Sequence, residues 1–225
     1  MTQLTLQVAN HGAVVVEIDH LIIAGWAGRN SAAVEHHIAE LEALGVRRPT
    51  TIPCFYRVAA SLLNPDESIQ VPGKDSSGET EFVLIPSSIG LLVGLGSDHT
   101  DRKVEAFDVT VSKQMCDKPI AATAWRFDEV QGHWDQLVMR TWRTRDGVRS
   151  LYQEGPVTSL LAPDTLLAKL NDSASLAQGT AMFCGTQPVI GELGYGEAFE
   201  MELFDPVLDR SLRHAYSVEP LPVAE

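Results

Sequence analysis

A chain of 225 residues with 44% hydrophobic and 21% charged content holds one sizeable core and is too short for two independent ones, so a single domain over residues 1–225 is expected. Acidic residues outnumber basic ones 30 to 17, and a net charge of −13 repels phosphate backbones and anionic head groups, which argues against nucleic acid and membrane partners. Cys54, Cys116 and Cys184 fit neither a disulfide framework nor a paired-cysteine zinc site. With no signal-peptide start and no apolar run near the ~20 residues of a spanning helix, a cytoplasmic location is expected.

Along the chain, the strand-like runs Leu4 to Val8 and Ala13 to Ile18 flank Asn10-His11-Gly12, which predicts an opening hairpin. After an apolar strand from Leu21 to Trp26, the Gly28-Arg29-Asn30 loop leads into a helix over Ser31 to Leu44. Val34, Ile38 and Leu41 recur there at helical spacing, and Gly45 is the predicted stop. Two β-rich runs follow, Phe82 to Ile85 and Ile89 to Leu95, broken by Pro86-Ser87-Ser88, with Asp98 in the next loop. Asp146-Gly147 punctuates a second hairpin between Leu137 to Trp142 and Val148 to Tyr152, because both central residues of a tight hairpin turn favour positive φ. A helix is predicted over Pro163 to Leu170. Strands follow at Ala198 to Phe204 and near His214 to Val218. Strands do not alternate regularly with helices, so the expected class is α+β, mostly β, a rolled or barrel-like mixed sheet with two or three helices.

In Gly78-Glu79-Thr80-Glu81, the strand period of two places both glutamates on one face at the mouth of an apolar strand. Neighbouring carboxylates are costly to ionise together unless a cation lies between them. A hard, oxygen-preferring ion such as Mg²⁺ or Mn²⁺ suits the pair, and Asp98 offers a third oxygen ligand. Taken alone, such a pair is more often a solvated strand edge. His99 and Asp101, which flank Asp98, are candidates for orienting it or for loop hydrogen bonds. Arg140, Arg143, Arg145 and Arg149 read mainly as solvated strand positions, and Cys116 as a small packed hydrophobe. No dinucleotide fingerprint and no Gly-x-Ser-x-Gly elbow occurs, which removes nucleotide-binding and serine-hydrolase readings.

The order of these pieces, from about Leu21 to Val218, resembles the fumarylacetoacetate hydrolase superfamily. Gly28-Arg29-Asn30 followed by His37-Ile38-Ala39-Glu40 resembles its glycine-arginine-asparagine loop and His-x-x-Glu helix, and Gly78 to Ile85 its Glu-x-Glu strand. Asp98 to Arg102 is similar to its metal-binding aspartate and following arginine, Ser112-Lys113 to its lysine segment, and Cys184-Gly185-Thr186-Gln187-Pro188 to its glycine-threonine-proline loop. Only sixteen residues separate Glu81 from Asp98, so a helix of the family is expected to be missing there, and Gln187 interrupts the last motif. The Gly96 to Arg102 wording, with Ser112-Lys113-Gln114, resembles most a bacterial group known as a domain of unknown function.

The resemblance implies a fumarylacetoacetate-hydrolase-like fold, a homodimer, and Mg²⁺ or Mn²⁺ held by Glu79, Glu81 and Asp98. It implies His37, oriented by Glu40, as general base, and Lys113 as the cation beside a developing enolate, with Arg29, Asn30, Arg102, Gly185 and Thr186 binding substrate. His36, four residues before Glu40, competes with His37, and the family spacing favours His37. The implied activity is hydrolysis of a carbon–carbon bond in a small 2-oxo or 1,3-dioxo acid through a metal-stabilised enolate. Decarboxylase or isomerase activity, or a catalytically silent ligand-binding relative, are the alternatives on the same fold.

Overall fold

The computed structural model describes residues 1–43, 48–171 and 175–224, except the side chains at 37, 40, 41 and 43. The first hairpin forms as read, from strands Thr2–Val8 and Gly12–Ile18, with Asn10 and Gly12 at positive φ in the turn. The predicted helix spans Ser31–Ala43 with Ile38 buried beneath it; its predicted end at Leu44 and Gly45 lies outside the described residues. Asp146 and Gly147 both take positive φ between strands Val138–Arg145 and Val148–Pro156, as a two-residue hairpin turn requires.

Two sheets organise the chain. The larger has eight strands, in the order Gly12–Ile18, Thr2–Val8, Thr123–Arg126, Gly90–Ser97, Thr80–Ser87, Thr180–Thr186, His20–Gly25 and Cys54–Val58. The smaller has five, in the order Val148–Pro156, Val138–Arg145, Ala198–Asp205, Arg210–Leu221 and Ser68–Pro72.

The strand Thr80–Ser87 is buried at every residue, which explains its unbroken apolar run. Phe82 and Leu84 face a core shared with Met139, Met201, Leu203 and Tyr216 of the smaller sheet. Val83 and Ile85 point the other way, into a second core where the curled large sheet meets its own first hairpin through Leu4, Leu6, Val16 and Ile18.

The structure corrects two readings. Pro86 and Ser87 do not break the strand: they pair with Leu91 and Gly90, and the turn is Ser88-Ile89. The Ser87 hydroxyl donates to the Gly90 carbonyl at 2.7 Å and accepts from the Ile89 amide at 3.2 Å, closing the turn one step later than the proline suggests. Besides the two predicted helices, the short helices Arg102–Glu105, Val109–Gln114 and Phe127–Val130 occur, so helical segments exceed the expected two or three. The class itself stands: α+β, mostly β, with a curled sheet.

Candidate metal centre

The hairpin register builds the centre. Thr80 pairs with Ser97 and Glu81 with Gly96, and the Asp98 amide donates to the Glu79 carbonyl at 2.9 Å, which carries the same register one step further. Directly opposed residues of an antiparallel pair share a face, as do residues two apart on one strand. Glu79, Glu81 and Asp98 therefore converge, each with a carboxylate oxygen within 4.8 Å of the others. The sixteen-residue spacing, read as a missing helix, corresponds to this direct two-residue turn.

Backbone requirements at two glycines keep the cluster tight. A Cβ on Gly78 would lie 2.4 Å from the Tyr216 hydroxyl, so the strand approaches Tyr216 only with glycine there. Gly185 has φ +97°, and its amide donates to Glu81 Oε2 at 2.7 Å.

Lys113, expected as the cation beside a developing enolate, is buried on the helix Val109–Gln114, which Asp108 caps by accepting from the Val111 amide. Its Nζ contacts Asp98 Oδ2 and lies 3.9 Å from Glu79 Oε2. Arg102 places Nη2 3.0 Å from Glu79 Oε1, Nη1 2.8 Å from Glu105 Oε2, and Nε on the Ser77 hydroxyl at 2.7 Å. On the far side of Asp98, Lys118 is fully buried, with Nζ 3.3 Å from Oδ1 and donating to the His99 carbonyl at 2.5 Å. At Oδ1 that contact is an ion pair without hydrogen-bond geometry, and Oδ1 is left with no hydrogen bond.

Electrostatics separates the three acids. Burial, then the Asp98 and Glu79 charges, push Glu81 well above the usual carboxylate range. Burial also raises Glu79, against Arg102 and Lys113. Burial alone would raise Asp98, but Lys113 and Lys118 outweigh it and hold the carboxyl low. The same charges acting back hold the Lys113 ammonium above its usual range despite burial, whereas burial wins at Lys118 and lowers it.

His99 and Asp101 do not touch the Asp98 carboxylate. His99 Nδ1 is 3.0 Å from the Tyr216 hydroxyl and Nε2 2.9 Å from the Ser76 hydroxyl; burial, then Lys118 and Arg102, hold its pKa well below the usual histidine value. Tyr216 also meets the Ser97 hydroxyl at 2.8 Å, and Ser97 Oγ accepts from the Glu79 amide at 3.1 Å. Asp101 caps the helix Arg102–Glu105. Lys118 and Tyr216 were not singled out from the sequence. A lysine opening the apolar run Pro119-Ile120-Ala121-Ala122 was the available signal.

The remaining expected residues lie further out. Arg29 donates from Nε to the Leu160 carbonyl at 3.0 Å and pairs with Asp135, and Asn30 caps the helix by accepting from the Ala32 and Ala33 amides. Their loop reaches the centre through Ala27, which packs on Gly185. The Thr186 hydroxyl donates to the Thr80 carbonyl at 2.9 Å and accepts from Gln153 at 2.9 Å. Gln187, the residue interrupting the loop motif, is pinned by the Pro156 carbonyl and the Ser159 hydroxyl. The side chains of His37 and Glu40 lie outside the described residues, and His36 is exposed.

Among the arginines of the second hairpin, Arg143 is buried on two loop carbonyls, which corrects the solvated reading there, while Arg145 and Arg149 are exposed as expected and Arg149 pairs with Glu200. Cys116 and Cys184 are buried free thiols, as packed hydrophobes should be. No helix among the described residues is long and apolar enough to cross a membrane.

Solved structures share this fold. One titled Cg1458 aligns over 93% of this chain and 80% of its own with a TM-score of 0.65 at 12% identity. A 2-keto-3-deoxy-D-arabinonate dehydratase complexed with magnesium and 2,5-dioxopentanoate covers 95% of this chain and 78% of its own, with a TM-score of 0.63 at 15% identity. A 4-oxalocrotonate decarboxylase from Pseudomonas putida G7, complexed with magnesium and adipate, covers 89% and 77%, with a TM-score of 0.58 at 13% identity. The fold is the fumarylacetoacetate-hydrolase-like roll implied by the sequence resemblance. No curated protein matches the chain by sequence. Residues 24–216 match the family model described as Protein of unknown function (DUF2848), and the chain belongs to that family.

Proposed function

We propose that the protein is a divalent-metal-dependent enzyme that carries a small oxo acid through an enolate, with carbon–carbon bond hydrolysis as the reaction. The observation that carries this reading is the convergence of the buried Glu81 and Asp98 with the half-buried Glu79 within 4.8 Å. Three hard oxygen donors that converge in this way suit Mg²⁺ or Mn²⁺. Such an ion supplies Lewis-acid polarisation of a carbonyl and charge stabilisation of the enolate.

The chain's own residues do the rest. Lys113 offers a positive charge at the edge of the cluster, where negative charge develops on the substrate. His37, oriented by Glu40, is the proposed base that activates water. Arg29, Asn30, Arg102, Gly185 and Thr186 form the proposed substrate wall. Each already has a protein partner, and Arg29, whose partner Asp135 is 63% exposed, is the one best placed to exchange it for a substrate carboxylate. A homodimer in the cytoplasm belongs to the same reading.

Decarboxylation, dehydration or isomerisation is the second reading, because the fold is shared with proteins titled as a dehydratase and a decarboxylase. All these reactions share the enolate, so the test is made there. Protein loaded with Mg²⁺ is incubated with 2-oxobutanoate in D₂O, and proton NMR follows exchange at C3. Exchange above the buffer rate, lost in Glu81→Ala, is expected. Exchange no faster than buffer for this and a panel of oxo acids would leave only a binding protein.

A further inference from the structure

Two lysines face Asp98, and the structure holds them differently. One ammonium, that of Lys113, lies against Asp98 Oδ2 and 3.9 Å from Glu79 Oε2, so it serves two of the three carboxylates at once. The half-buried Tyr56 ring also lies close, with its centroid 5.7 Å from Nζ. That ring is fixed in turn by the Trp26 indole, which donates to the Tyr56 hydroxyl at 3.2 Å. Among the described residues, no aromatic ring stands over the Lys118 ammonium in the same way. Lys118 is fully buried, fastened to the His99 carbonyl at 2.5 Å, and its backbone pairs with Leu63.

We propose that Lys113 is the exchangeable counter-ion of the carboxylate cluster: a divalent cation entering among Glu79, Glu81 and Asp98 displaces its ammonium from Asp98 towards Tyr56, while Lys118 stays as the fixed counter-ion. The proposal rests on the metal-binding reading above. An ammonium held against Asp98 and Glu79 competes with a divalent cation for the same two carboxylates, because like charges at close range repel strongly where water is scarce. The lysine stem is flexible and an aromatic face accepts its charge, so Lys113 has a low-cost exit. Lys118 would lose its carbonyl and carboxylate partners in an apolar interior, which holds it in place. Cation loading then turns Lys113 from a partner of the ligands into a charge free to meet an anionic substrate.

The test compares Mn²⁺ titration calorimetry on the metal-stripped full chain for wild type and Lys113→Met. With the competing cation gone, Lys113→Met should bind Mn²⁺ at least about tenfold more tightly. In parallel, reductive methylation of the wild type with and without Mn²⁺, read peptide by peptide by mass spectrometry, follows each lysine without any substitution. Lys113 labelling should rise several-fold with Mn²⁺ while Lys118 stays protected in both states. A folded Lys113→Met that binds equally or more weakly, or Lys113 labelling that does not rise, would overturn the exchange while leaving the metal site standing. A wild type that binds no Mn²⁺ would overturn both. If Lys113→Met does not fold, the labelling decides alone.

Discussion

Tyr216 links the carboxylate cluster to the core behind it. Its hydroxyl meets Ser97 at 2.8 Å and His99 at 3.0 Å, Ser97 accepts from the Glu79 amide, and His99 continues to Ser76. All four side chains are buried, so a missing partner is not replaced by water without cost. Tyr216→Phe keeps the ring, which stacks on Phe199, and removes only the oxygen. It should lower stability by about 1–3 kcal/mol, read as a drop in Tm of roughly 2–4 °C per kcal/mol at this chain length. A Tm unchanged within a degree would show that the network contributes nothing. None of this chain of contacts was legible in the sequence, because Ser76, Ser97, His99 and Tyr216 come from three separate segments that only the fold joins. The convergence of Glu79, Glu81 and Asp98 was legible for the opposite reason: the three acids are local to one hairpin.

That hairpin, Thr80–Ser87 with Gly90–Ser97, shows what an element-level reading captures and what it misses. The alternation of Glu79 and Glu81 was visible directly, whereas the opposition of Asp98 to Glu79 depends on where the turn falls, and Pro86 pointed one step too early. The helices Arg102–Glu105 and Val109–Gln114 escaped because four and six residues are shorter than the window in which helical periodicity shows. Their signals were the caps Asp101 and Asp108, each three residues before the amide it accepts from.

A comparable turn device lies at Asp205, which closes the hairpin between Ala198–Asp205 and Arg210–Leu221. It accepts from the Val207 amide at 3.0 Å and the Leu208 amide at 3.2 Å, with His133 Nε2 2.9 Å away. Burial alone would raise its pKa, but His133 and the Leu208 and Val207 amides outweigh it and hold the carboxyl below the usual range. A depressed folded-state pKa gives stability that is present above the unfolded value, about 3.9, and is lost as pH falls through the folded value. Asp205→Asn should therefore cost about 1–3 kcal/mol at pH 7 and less at an acid pH below the unfolded value of about 3.9. Denaturant melts of both proteins at the two pH values check it. An equal penalty at both would mean that the carboxylate charge plays no part.

At the scale of the whole molecule, the curled eight-strand sheet buries both faces of its central strands and leaves the open end of one hairpin carrying three acids. The mostly-β class was readable from strand runs and turn chemistry, but the strand order was not. Neighbours such as Thr123–Arg126 beside Gly90–Ser97, or Thr180–Thr186 beside both His20–Gly25 and Thr80–Ser87, pair across long stretches of chain that no local pattern encodes. Lys118 was hidden in the same way, since it enters the centre through a two-residue parallel pairing with Leu63–Asn64. The resemblance supplied the architecture that periodicity could not.

A cation that binds among the three acids in the folded state only would stabilise that state by about 2.7 kcal/mol at a hundred times Kd. The central claim, that Glu79, Glu81 and Asp98 form a divalent-cation site, is tested most directly by calorimetric titration of metal-stripped protein with Mg²⁺ and Mn²⁺. Wild type is compared with Glu81→Ala and Asp98→Ala, and circular dichroism confirms that each variant is folded. Saturable binding by wild type that both substitutions abolish is the predicted result. Wild type that takes up neither ion, or binding that survives both substitutions, would contradict it.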